Sequence, residues 1–254
     1  MKGAAKRKDR SWRWAYGRRA VLELLDSGFE VAEVLVPPAG RGGVLDELRH
    51  RSERDGVRVI STPRAEMDRI APGVKHQGVA ARYRFPDFVP LERLIDRSLR
   101  SGPLPVVILD GVVDPHNLGA IVRSAEVFGS GGVVVRKHRA ATITPAAVKA
   151  SSGAVFRIPI TETAGIDRAI GMLKASGYWV FGLAAEGEAS IWETDISGAA
   201  AFVFGSESKG MSRLTRERCD RVLFIPQRGK VASLNVSATA AVVLAEWLRR
   251  SSSG

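Results

Sequence analysis

The sequence is short of the residues that most disulfide and metal chemistry needs. Among 254 residues there are one cysteine, Cys219, and four histidines. A lone cysteine cannot close an internal disulfide and suits a reducing compartment, so a cytoplasmic location is expected. No HExxH or CxxC spacing occurs, and no metal site is expected. No run approaches the roughly 18–20 apolar residues that a membrane span requires. The first residues are rich in lysine and arginine but no apolar segment follows, so a secretory signal is not expected. GxGxxG is missing after the first strand-like run of the second half, which counts against a dinucleotide-binding enzyme.

Acidic side chains are the next shortage. Lysine and arginine total 38 against 27 aspartate and glutamate, a net charge of +11. The excess is uneven. Residues 1–19 hold eight basic side chains, Arg18 and Arg19 among them, against Asp9 alone, while residues 20–84 are balanced at ten of each sign. Between Glu126 and Glu162 there is no acid, yet Arg136, Lys137, Arg139, Lys149 and Arg157 fall there. A basic arm with a local basic surface is the electrostatic footprint of a polyanion partner, and equally of a solvated face. Ser11-Trp12-Arg13-Trp14 is too short for a membrane anchor.

What is present is ordinary globular material, with 45% apolar and 26% charged residues. It falls into two patterned blocks that meet at a Pro/Arg-rich junction near residues 84–104. In the first block, helix-like spacing at Ala20–Leu25 and Val44–Arg54 alternates with strand-like runs at Val31–Val36, Val57–Ile60 and Gly78–Tyr83, and Pro63 suits the first turn of a further helix. The second block carries apolar runs at Leu104–Leu109, Gly132–Val135, Tyr178–Ala184, Ala201–Phe204 and Val222–Ile225, with helical patterns at Leu118–Phe128 and Val236–Arg249. Strands apolar throughout and alternating with helices predict a parallel sheet covered on both faces. Ligands of such sheets sit at the carboxyl ends of strands.

Three loops at such ends carry polar residues. In the first, Asp110 to Ser124, Asn117 suits a helix cap, and Arg123 lies nearly two turns on, where a guanidinium holds a phosphate or a developing oxyanion. The second, Phe204-Gly205-Ser206-Glu207-Ser208-Lys209-Gly210, lets the backbone approach a ligand closely, but Glu207 would repel a phosphate and suits a cationic or hydroxyl-rich ligand. The third runs from Ile225 through Ser233-Leu234-Asn235 into an almost wholly apolar helix. Ser233 and Asn235 are candidate caps, and such a helix is buried, against this chain or a second copy.

In this order the segments DPHNLGAIVRSAEVFG, FVFGSESKGMS and IPQRGKVASLNVSATA resemble the three motifs of the SpoU/TrmH family of ribose 2′-O-methyltransferases, in the SPOUT class. Residues 14–84, opening Trp14-Ala15-Tyr16-Gly17-Arg18-Arg19, are similar to the family's substrate-binding domain. The layout is most similar to the family's large-subunit rRNA guanosine methyltransferases.

The resemblance implies a basic flexible arm over 1–13, an L30e-like α/β RNA-binding domain over 14–84, a linker over 85–103 and a methyltransferase domain over 104–254. The last would be a parallel α/β sheet with a C-terminal trefoil knot. It further implies S-adenosylmethionine as cofactor, a homodimer whose final helices pack near the site, and an RNA substrate. The donor would be held by Gly205, Ile225 and Leu234, with Asn117, Arg123, Glu207, Ser233 and Asn235 at the polar active-site positions and Glu207 anchoring Arg123 or a ribose hydroxyl. RNA would be gripped by Arg18, Arg19, Arg136, Lys137 and Arg139. A ribose hydroxyl as acceptor excludes DNA as substrate. The near alternatives are a tRNA ribose methyltransferase and an antibiotic-resistance rRNA methyltransferase of the same plan. The alternative of a different class is a non-catalytic RNA-binding assembly factor, against which the intact Asn117, Arg123 and Ser233-Leu234-Asn235 argue.

Overall fold

The computed structural model describes residues 12–26, 28–38, 43–85, 87–137, 143–231 and 233–252. The chain divides into two compact units, Met1–Asp87 and Phe88–Gly254. The first holds β1 (Trp12–Tyr16), α1 (Arg18–Leu25), β2 (Val31–Val36), α2 (Val44–Arg54), β3 (Arg58–Ser61), α3 (Arg64–Ile70) and β4 (Ala80–Arg84). Its sheet runs β1-β4-β2-β3, parallel only between β2 and β3. α2 forms where the spacing predicts it. Leu45, Leu48 and Ser52 are buried along one stripe, and Asp46 and Glu47 in the first turn and Arg51 and Arg54 in the last complement the helix dipole. β1 is a departure: the expected arm reaches residue 13, but Trp12 and Arg13 pair with Arg84 and Tyr83 of β4. Arg13 caps the ring of Phe85, its guanidinium carbon 3.4 Å from the centroid, which favours order there over a solvated arm.

The second unit opens with α4 (Leu91–Arg100). Residues 85–103 are therefore not a linker. Leu91, Leu94, Ile95 and Ser98 repeat at helical spacing, and the apolar three join a core cluster with Ile166, Ile170 and Tyr178. There follow β5 (Val106–Asp110), α5 (Pro115–Val127), β6 (Gly132–Arg136), α6 (Pro145–Ala150), β7 (Ile160–Thr163), α7 (Ile166–Ala175), β8 (Trp179–Leu183), β9 (Ala189–Ser190), β10 (Ala200–Gly205), α8 (Arg213–Arg218), β11 (Arg221–Phe224) and α9 (Val236–Ser251).

Every strand pair in the sheet is parallel, in the order β7-β6-β5-β10-β8-β11-β9. All residues of β5 and β10 are buried, as the apolar runs Val106–Leu109 and Ala200–Phe204 require. The chain leaves β5 toward β6 and β7 on one side and returns to β10 on the other. The crevice where strand order reverses thus opens at the paired ends Asp110 and Gly205. α5 packs against α6 and α9. Gly119 allows the first contact, because a Cβ there would lie 2.4 Å from the Ala147 carbonyl oxygen. Among the described residues no helix is long and apolar enough to cross a membrane.

Candidate functional site

β5 ends on Asp110, a buried carboxylate. Its Oδ1 takes a 2.6 Å hydrogen bond from Arg136 at the end of β6, and its Oδ2 accepts from the Ser212 backbone N–H at 2.9 Å. Burial pushes the Asp110 carboxyl up, but hydrogen bonds from Thr215, Ser212 and Arg136 outweigh it and hold the group below the usual aspartate range. Asp110 thereby joins the ends of two strands to the exit of the β10 loop.

That loop is tightly closed. Ser206 and Gly210 exchange backbone hydrogen bonds of 3.0 and 2.8 Å. A Cβ on Gly205 would come within 2.1 Å of Gly210 and Met211 backbone atoms, so only glycine fits. The loop presents Glu207, whose Oε1 accepts from Asn117 Nδ2 at 2.5 Å. Asn117 Oδ1 in turn accepts from Asn235 Nδ2 at 3.1 Å. One polar group from each of the three sequence motifs therefore meets in a single hydrogen-bonded chain.

The caps divide differently from the sequence reading. α5 is capped by Asp114, whose carboxylate accepts from the His116 N–H at 3.0 Å, with Pro115 in the first helical position. Asn117 is thus inside the first turn and its amide is free to cross to the other motifs. Asn235 does cap α9: its Oδ1 accepts from the Ser237 N–H at 2.8 Å and hydroxyl at 2.6 Å. The cap fixes the carbonyl end of the amide, so Nδ2 is aimed at Asn117.

Beside this chain lies a cleft of about 390 Å³. Gly205, Ile225 and Leu234 all line it, as do Glu207, Ser233 and Asn235. Asn117 and Arg123 do not. Asn117 reaches the lining through its hydrogen bonds to Glu207 and Asn235, whereas Arg123 is exposed on α5, and the structure pairs Glu207 with Asn117 instead of with Arg123. Of the cations expected to hold RNA, Arg18, Arg19 and Lys137 are exposed, Arg136 is engaged by Asp110, and Arg139 lies outside the described residues. The sequence reading missed Asp110 and the Leu183-Ala184-Ala185 wall. Both follow apolar runs of a parallel sheet, the position where ligand contacts gather. Among the described residues no group of three or more His, Cys, Asp or Glu side chains is arranged to hold a metal.

Residues 105–245 match the SpoU rRNA Methylase family, and residues 14–89 match the family described as RNA 2′-O ribose methyltransferase substrate binding. The 23S rRNA (guanosine-2′-O-)-methyltransferase RlmB of Xylella fastidiosa is 39% identical, over 93% of this chain and 96% of its own. A putative TrmH family tRNA/rRNA methyltransferase of Staphylococcus saprophyticus is 35% identical, over 92% and 94%. Among solved structures, the SpoU methyltransferase AviRb of Streptomyces viridochromogenes in complex with AdoMet has a TM-score of 0.65 at 22% identity, covering 96% of this chain and 92% of that one. At that identity the likeness is one of fold.

Proposed function

The chain belongs to the SpoU rRNA methylase family, and from that membership we propose that it methylates the 2′-hydroxyl of a guanosine in 23S rRNA with S-adenosylmethionine as donor. The observation that carries the reading is the Asn235–Asn117–Glu207 chain bordering the cleft. The residues fit the donor. Leu183, Phe204 and Leu223 give apolar cover for a nucleoside, and the Glu207 carboxylate favours a cationic ligand over a phosphate. The cleft volume falls in the range of small-molecule sites.

In this reading Gly205, Ile225 and Leu234 hold the cofactor, which when bound supplies a methyl group on a positively charged sulfur. Asn117 and Asn235 orient the ribose, Glu207 fixes the Asn117 amide, and Ser233 hydrogen-bonds on the same wall. Fixed near-attack geometry is itself worth several kcal/mol. The Arg123 guanidinium stabilises the nascent alkoxide, and the hydroxyl proton passes to solvent or to a neighbouring RNA phosphate. A guanidinium is a hydrogen-bond donor with no acceptor to offer, which suits it to that role and not to the role of base. Because Arg123 is exposed outside the lining of its own cleft, that role needs a second copy to bring it to the site. A homodimer is part of the proposal, supported by the exposed Val113, Val127 and Leu248 of the second unit. The trefoil knot, RNA contact by Arg18, Arg19 and Lys137, and action in the cytoplasm complete it. DNA is excluded as substrate by the acceptor it lacks.

Mapping 2′-O-methyl groups in rRNA and tRNA from cells with and without the gene tests the reading. The expected result is the loss of one guanosine methylation in 23S rRNA. A loss confined to tRNA would overturn the rRNA assignment.

A further inference from the structure

α4 carries Arg93, Arg97 and Arg100 at spacings of four and three residues. At 100° per residue these side chains fall within about 60° of one another, opposite the buried Leu94, Ile95 and Ser98. All three are exposed, and none has an ion pair or side-chain hydrogen bond among the described residues. No other described helix presents three such arginines on one face. They line a groove of about 730 Å³ with Val89, Pro159 and Ser101. Asp96 lines it too, and the exposed Glu92 lies on the flank, so the groove is cationic on balance.

We propose that this groove is a second RNA contact, in which Arg93, Arg97 and Arg100 hold backbone phosphates of the substrate away from the methylated nucleotide. The inference rests on the reading of the chain as an RNA methyltransferase. Charge complementarity selects the occupant: guanidinium groups without protein partners are phosphate ligands, and phosphate contacts position a nucleic acid without reading its sequence. Location then sets the minimum span of the RNA. The groove adjoins Pro159 and Ser101, just ahead of β7 and on the approach to β5, whereas the cleft lies at the carboxyl ends of β5 and β10. The five residues of β5 alone separate the two by about 16 Å. An RNA that touches both must span at least about five stacked nucleotides, at 3.4 Å per nucleotide along a strand.

Arg97 and Arg100 also sit in the last turn of α4, where cations favour the helix dipole. A purely structural role is therefore the rival, and the test separates them. Binding and methylation of in vitro transcribed 23S rRNA are measured for the wild type, R93Q/R97Q/R100Q and R93K/R97K/R100K. The proposal expects the glutamine variant to raise KM for the transcript about tenfold. It also expects a drop of about 2 in the slope of log K against log salt, the loss of three phosphate contacts. Its kcat and its affinity for S-adenosylmethionine should stay within twofold, and the lysine variant should recover most of the salt slope.

An unchanged KM and slope in a folded glutamine variant would overturn the proposal. So would a lysine variant as impaired as the glutamine one, or a defect seen in cells but not with purified RNA, which would point to a protein partner. If the wild type itself neither methylates nor binds the transcript, the underlying reading fails instead.

Discussion

The two units use the same alternation of strands and helices to opposite ends. In the first, no residue of β1 or β3 is fully buried, and the sheet faces carry Trp12, Trp14, Arg82 and Arg84. In the second, β5 and β10 are buried at every position. A sheet covered on both faces can offer a ligand only its strand ends, and those ends are held by backbone on either side. The first unit has side chains to offer; the second has geometry. Chemistry belongs where the backbone is fixed, and recognition can be spread over exposed side chains.

Substitutions at the strand ends of the second unit should therefore cost turnover, while those on the first unit should cost substrate affinity. The largest effect is expected for Gly205→Ala. The Cβ has no room against Gly210, the loop must move, and methyl transfer should fall by about a hundredfold or more. Asn117→Ala removes the link between Glu207 and Asn235, and should lower kcat by about ten- to a hundredfold with the fold intact by circular dichroism. Asp110→Asn leaves Arg136 without its anion and should destabilise the protein by about 2–3 kcal/mol in urea unfolding. R18Q/R19Q in the first unit should raise KM for rRNA a few-fold, about 1 kcal/mol, with kcat unchanged. A fall in kcat from that double change would break the division of labour.

The smallest effect concerns α9. Hydrogen bonds from Arg249, and then Arg250, hold the Glu246 carboxyl down at about 2 from an ordinary 4.5. A depressed carboxylate contributes stability above its unfolded pKa and loses it as pH falls toward the folded value. Asp110 has the same sign. Wild-type stability should thus decline between about pH 4.5 and pH 2, and Glu246→Gln should cost about 1 kcal/mol at pH 7 and nothing below pH 2.

The sequence was most legible where local patterns decide. Val31–Val36 and Val44–Arg54 form the strand and the helix that their spacing predicts, with the same bounds. β1 was not legible, because its partner β4 lies far along the chain and Arg13 reads as part of a charged arm. α4 was hidden by its arginines, although Leu91, Leu94 and Ile95 already had helical spacing. At the site, the three motifs were visible but their division of tasks was not. Asp114, not Asn117, caps α5, since the Pro115 that follows suits the first helical position. Arg123 is six residues from Asn117, which is 600° of helix and so about 120° short of two turns. That offset puts it on a different part of α5 from Asn117, whose amide bonds the cleft residues Glu207 and Asn235.

The most direct test is the chemical nature of the product. Purified protein is incubated with unmethylated 23S rRNA and S-adenosylmethionine carrying a tritiated methyl group, and the RNA is then hydrolysed in alkali. Alkali cleaves RNA through the free 2′-hydroxyl, so a 2′-O-methylated ribose protects its own phosphodiester. The account predicts label in a single alkali-resistant dinucleotide with guanosine in the 5′ position. Label released as a mononucleotide, with the methyl on a base, would contradict it.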